Sequence, residues 1–334
     1  MSCLLYIVVF LCLAVAPGAT KFCGLNPPVS SSNVIFYLYT RLNPNGELLT
    51  NDTLTNLSDS RKTIFIIHGW MKDSIDGWIF EMKDNYLEFA DLDIIAVDWR
   101  EYANCGYVAA ANSVPEVGRI TGDFICTLVE SNKAYLNDTQ LNGFSLGAHV
   151  AGYAGQQVQL KNGGQKIGRI NGLDAASPGF TGTPRNSRLD SNDANFVQGF
   201  HTSYLGMYDT YGVVDVYFNT DLLTCGTDQP GCLIDPSAPA EDFSLLSIIP
   251  CHHTRAVTYF ISTIENLLPN LIAVKCDCVS FTLGVCDGTK IIVGEHLPST
   301  TAPGKYFLNT ACSAPFGLGE NGTEGGIANY LCKS

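Results

Sequence analysis

The sequence predicts an α/β fold: a wound, mostly parallel sheet flanked by helices. Three observations carry this. Short, nearly continuous apolar runs recur along the chain, as strands buried on both faces do. Helical spacing of apolar residues lies between some of them. The 334 residues, nearly half apolar and only 15% charged, can bury a large core.

The first element is a leader. Leu4 to Ala16 (LLYIVVFLCLAVA) is an apolar run too short for a membrane span, and Ala16 and Gly18 are spaced for cleavage near Gly18. Residues 1–18 therefore read as a secretory signal peptide, although the preceding MSC carries no Lys or Arg. The alternative is a buried N-terminal strand. No other apolar run approaches membrane-spanning length, so no transmembrane anchor is expected.

Strands are predicted at Thr63–His68 (TIFIIH) and Leu92–Asp98 (LDIIAVD). A helix follows, marked by Val117, Ile120, Phe124 and Leu128, with Pro115 near its start. Further strands are predicted at Gln140–Phe144 (QLNGF), Lys166–Leu173 (KIGRINGL) and Val213–Phe218 (VVDVYF). After about Asn266 the chain is dense in Cys, Gly and Pro. It reads as short, disulfide-tied strands and loops that complete one domain, residues 19–334.

Composition excludes some functions. Nineteen Lys and Arg against 32 Asp and Glu give a net charge of −13, which nucleic acid repels and an anionic membrane attracts poorly. Thirteen cysteines and four sequons (Asn51, Asn56, Asn137 and Asn321) suit an oxidising, extracellular compartment. Without Cys3 and Cys12 of the leader the cysteine count is odd. Cys126, in the apolar helical stretch DFICTLV, is the expected free thiol. No pair of C-x-x-C motifs is present, so zinc is not expected.

The chemistry gathers around Gly143–Gly155, GFSLGAHVAGYAG. Gly-x-Ser-x-Gly puts a serine on a sharp turn from strand to helix, where only glycine-sized neighbours let the backbones pack. Ser145 is thus a candidate nucleophile rather than a loop serine, because QLNGF before it is strand-like and small residues at helical spacing follow. A serine hydroxyl needs a base and an orienting acid, in the chain order Ser, Asp, His for this kind of sheet. Asp174 closes the strand-like RINGL and is the candidate acid; its other reading is a turn or cap aspartate. His253, in CHHTRAVTYF, is the candidate base, and spacing alone leaves His252 and His201 open. Two N–H donors must face the oxyanion. Leu146, just after the serine, supplies one, and Trp70, in the strand-end turn IIHGW, the other.

Together IIHGW, AVDWR, GFSLGAHVAGYAG, NGLDAASPGF, DQPGC and CHHTR resemble, in this order, the pancreatic-type lipase family. The resemblance runs over roughly residues 20 to 320 and is nearest the secreted and venom phospholipases A1. It implies an α/β-hydrolase fold with a disulfide-bracketed lid, Leu233–Pro250 between Cys232 and Cys251. It selects His253, because His252 falls on a variable position of the family's Cys-x-His-x-Arg pattern. It also implies disulfides Cys23–Cys105 and Cys276–Cys286, and leaves Cys225, Cys278, Cys312 and Cys332 unassigned. The implied activity is hydrolysis of lipid esters at a membrane, micelle or droplet surface, without cofactor. Triacylglycerol or galactolipid hydrolysis, or a catalytically silent lipid-binding or yolk-type relative, are the alternatives.

Three departures qualify the likeness. The family's C-terminal β-sandwich domain is missing, so no colipase partnership is expected. In RNSRLDSND, Arg188, Asp190 and Asp193 match the family's calcium region, but Arg185 replaces a glutamate. No metal site is therefore expected. The stretch Tyr204–Tyr211 is short, as in the phospholipases A1.

Overall fold

A computed structural model describes residues 22–50, 52–220, 224–232, 245–265 and 268–326. The leader, residues 233–244 of the expected lid and Cys332 lie outside the described residues.

The described strands form one sheet. In chain order they are β1 (Ile35–Tyr39), β2 (Glu47–Leu48), β3 (Thr63–Ile67), β4 (Asp93–Asp98), β5 (Thr139–Phe144), β6 (Arg169–Leu173), β7 (Phe196–His201), β8 (Val214–Phe218), β9 (Ile272–Lys275), β10 (Lys290–Ile292) and β11 (Gly304–Leu308). Their spatial order is β10-β9-β11-β8-β7-β6-β5-β3-β4-β1-β2. From β11 across to β4 every pairing is parallel, and antiparallel strands close both edges. The helices are α1 (Gly77–Phe89), α2 (Arg100–Ala103), α3 (Tyr107–Glu130), α4 (Leu146–Lys161), α5 (Leu245–Ile261) and α6 (Cys278–Thr282).

Alternation along each strand divides the core in two. Phe65, Ile67, Ile95, Val97 and Leu141 face α3 and α4. Ile64, Ile66, Ile94 and Ala96 face the other way, towards Trp78, Met82 and Tyr86 of α1 and Val257 and Phe260 of α5. The five predicted strands are all present, within three residues of the predicted ends.

Two expectations need correction. Helix α3 begins at Tyr107, well before Pro115, which sits inside it. Pro115 cannot donate to Ala111, but Tyr107, Ala110 and Val114 are buried and hold the earlier turns on the core. Strand β7 lies outside the five predicted strands. Its centre, Gln198 and Gly199, breaks the apolar run. Gln198 is satisfied there by Asn171 and by the Gly294 N–H.

The cysteine-rich tail joins the same sheet through β9, β10 and β11. Disulfides join Cys23–Cys105, Cys232–Cys251 and Cys276–Cys286, as the resemblance implied, and also Cys225–Cys278. Cys312 is disulfide-bonded too. Among the described residues Cys126 is the free cysteine, and it is buried.

Candidate active site

Strand β5 ends at Phe144 and helix α4 begins at Leu146, so Ser145 is the whole turn between them. Its φ of 58° is unusual for a residue with a side chain and costs about 1–3 kcal/mol. Neighbouring backbone holds it there. The Ser145 N–H donates to Leu173 O at 3.1 Å, and its carbonyl accepts from the Ala148 and Ala176 N–H groups. The motif glycines are required by contact. A Cβ on Gly147 would strike the Ile67 and His68 carbonyls, and one on Gly143 would strike the first turn of α4.

Asp174 follows β6, also at positive φ (50°), and is 1% exposed. Its Oδ1 accepts from the Thr202 N–H at 2.8 Å and the Ser203 N–H at 3.3 Å. Its Oδ2 lies 2.6 Å from His253 Nδ1 and 2.5 Å from Ser203 Oγ. His253 stands on α5, two residues after the disulfide at Cys251. Its ring packs on Phe144, centroid to centroid 4.6 Å, beside Ser145. Asp174 and His253 therefore pair at the C-terminal end of β6, and the His253 ring lies on Phe144, the residue before Ser145, at the end of β5, where such sheets display functional groups.

The alternative histidines are engaged elsewhere. His201 bonds Met207 O at 2.7 Å and Asp215 Oδ1 at 2.9 Å. His252 accepts the Gln229 N–H at Nδ1, and burial pushes its pKa down to about 4.

The IIHGW turn lies against the serine. A Cβ on Gly69 would be 2.8 Å from Ser145 Cβ and 3.4 Å from its Oγ. The end of β4 pins this turn. The Trp99 indole donates to His68 O at 2.9 Å, and the Trp99 N–H donates to His68 Nε2. Asp98 accepts from Ser74 and Arg100 on the far side of the same loop. Trp70 points its indole N–H at Cys105 O (2.8 Å), so any oxyanion contact falls to its main-chain N–H. Leu146 is the first residue of α4, where helix N–H groups have no partner within the helix.

The residues of RNSRLDSND do not fit a calcium ion. Arg185 Nε approaches Asp190 Oδ2 at 3.7 Å, placing a guanidinium where a ligand would be needed. Asp193 is tied to the Asp190 N–H and to Gln156, and burial pushes its pKa up to about 7. Among the described residues no cluster of three or more acidic, His or Cys side chains could hold a metal. No described helix is long and apolar enough to cross a membrane.

Sequence reasoning missed the segment Thr202–Gly206 as part of the surroundings of Asp174. Its amides and the Ser203 hydroxyl surround Asp174, although TSYLG resembles no catalytic motif.

The protein-family model described as Lipase matches residues 16–316. A phospholipase A1 of Polybia paulista is 32% identical, over 93% of this chain and 96% of its own. Lipase member H-A of Xenopus laevis is 35% identical over 84% of this chain. A pancreatic triacylglycerol lipase of Myocastor coypus is 33% identical over 71% of it. The match spans 62% and 54% of those two longer proteins, respectively.

Proposed function

The chain belongs to the pancreatic-type lipase family, and from that premise we propose that it is a secreted lipid ester hydrolase, phospholipase A1-like, acting on the sn-1 ester. The observation that carries the mechanism is the Asp174–His253 hydrogen bond, with the His253 ring laid on Phe144 next to Ser145. In this reading Ser145 Oγ attacks the ester carbonyl while His253 Nε2 takes its proton. Asp174 holds the Nδ1–H tautomer and supports the imidazolium. The main-chain N–H groups of Leu146 and Trp70 receive the oxyanion. His253 then protonates the departing alcohol, and a water, activated in turn by His253, frees the acid from Ser145.

The phospholipid preference is supported by the similarity to the wasp phospholipase over nearly its full length. It is also supported by the compact Tyr204–Tyr211 stretch. Tyr211 bonds the Gly172 and Phe200 carbonyls, and the Tyr208 carbonyl accepts from Tyr217, so the stretch is tied to the sheet at two points while the Tyr204 and Tyr208 side chains stay exposed. Several disulfides support an extracellular setting. The partner is the lipid surface itself. Triacylglycerol hydrolysis is the second reading, favoured by the pancreatic relative.

The test is positional. The purified protein and Ser145→Ala are incubated with a phosphatidylcholine bearing different acyl chains at its two positions, and with a triglyceride. Release of the sn-1 chain by wild type alone is the expected result. Triglyceride cleavage alone would move the reading to a lipase, and no release by folded protein would overturn it.

A further inference from the structure

We propose that Ser203 is a positioning residue for acyl transfer: its hydroxyl, with the Thr202 and Ser203 amides, cradles the Asp174 carboxylate and sets how strongly it supports the His253 imidazolium. This rests on the Ser145–Asp174–His253 reading above.

The hydrogen-bond directions follow from a count of donors and acceptors. Ser203 Oγ accepts from the Leu205 N–H at 3.1 Å and the Gly206 N–H at 3.3 Å. Its lone pairs are thereby used, and its proton needs an acceptor. Two atoms are in reach: Asp174 Oδ2 at 2.5 Å and His253 Nδ1 at 3.3 Å. Nδ1 directs its own proton to the same Oδ2, so the Ser203 hydroxyl proton goes to Asp174 as well. Asp174 then carries four donors, and one oxygen is shared between Ser203 and His253.

The loop is built to hold this arrangement. Ser203 is 5% exposed. Gly206 leaves room for the carboxylate, which a Cβ there would strike. On the other side His201 ties the strand end to Met207 O and to Asp215, and Asp215 also accepts the Tyr211 and Gly212 N–H groups. Other titratable groups surround the pair. Tyr211 lies under it, its oxygen accepting the Ala175 N–H, and His252 and Arg255 stand on the helix that carries His253. Among the described residues the ion pair of Asp174 is with His253.

A donor to Asp174 withdraws charge from the oxygen that faces His253. Removing it makes that oxygen more basic and strengthens its hold on the imidazolium, so His253 keeps its proton to higher pH. Hydrolysis needs the neutral ring. For Ser203→Ala we expect kcat to fall roughly tenfold, with KM unchanged, because the carboxylate loses one of the four donors that fix its position against His253. The acidic limb of the pH–rate profile should move up relative to wild type.

The experiment is the pH dependence of kcat and kcat/KM on a soluble short-chain phosphatidylcholine, for wild type, Ser203→Ala, Ser203→Thr and Ser145→Ala. Ser203→Thr keeps the hydroxyl and should keep the wild-type limb. If Ser203→Ala gives no folded protein, Ser203→Cys reads the same limb with a weaker donor of similar shape. An unmoved limb in the variants that lose or weaken the donor, with Ser145→Ala inactive, overturns the role of Ser203 and leaves the triad standing. Activity retained by Ser145→Ala overturns the triad reading itself.

Discussion

Ser145 and Asp174 both have positive φ, and both are held by main-chain bonds to neighbouring strands. Two strained residues on adjacent strand ends bring nucleophile and acid to one side of the sheet without a long loop. Such placement depends on the glycines beside them. Gly206→Ala should push the Asp174 carboxylate off His253, because its new Cβ would overlap the carboxylate. A loss of about 100-fold in kcat is expected, with thermal stability lowered far less, measured by steady-state kinetics beside a melting curve. At this scale Ser145 was legible in the sequence, since its turn is written in the residues on either side of it. Ser203 was not, because its partner Asp174 is remote in sequence and nothing local marks the contact. His253 lay between: spacing left three histidines open, the resemblance chose among them, and the packing of α5 brings that ring to Asp174.

The central strands were legible for a physical reason. A strand covered on both faces reads as a near-continuous apolar run, as the interiors of β3 and β4 do. Strand β7 hid because its interior carries Gln198 and Gly199, and β9 and β10 because they are only four and three residues long. Helix α4 was expected, but not the closeness of α3 against it. A Cβ on Gly118 or Gly122 would meet Tyr153 or Gln157 of α4. His149 fastens α4 to the chain beyond β6. It donates from Nε2 to Ala176 O and accepts the Leu189 N–H at Nδ1, with its ring stacked on Phe180. Burial pushes its pKa down to about 3. The unfolded chain therefore binds a proton that the folded one refuses, so the stability His149 lends is whole above pH ~6.5 and drains away as pH falls towards 3. Chemical denaturation between pH 7 and 4 should show this loss. His149→Gln should be less stable at pH 7 and show a flatter pH dependence.

Across the whole molecule, the end of the sheet opposite the active site is closed by a polar cluster. Glu295, from the tail, accepts from Tyr86 at 2.6 Å and Gln140 at 2.7 Å and pairs with Lys62 at 3.0 Å. Arg169 donates to the Gly294, Glu295 and Leu297 carbonyls. Burial alone would raise the Glu295 pKa, but the charges of Lys62 and Arg169 hold it below its ordinary value. The tail is thus locked to α1, β5 and β6 together. Glu295→Ala leaves those donors unanswered and should cost about 3 kcal/mol in chemical denaturation. Activity per folded molecule should stay near wild type, because the cluster touches strand starts and the triad stands at strand ends.

Cys126 bears on how the chain reaches its disulfide pattern. In the unfolded chain a single spare thiol can attack any bridge as it forms, and each attack moves the error to another cysteine rather than ending it. Folding halts this exchange. Once α3 is packed, Cys126 is out of solvent, Asn162 caps its sulfur at 3.1 Å, and burial pushes the thiol pKa up, away from the reactive thiolate. Pairing is therefore tied to the docking of that helix: until α3 packs on the sheet the spare thiol can exchange with a bridge, and once it is buried that exchange stops.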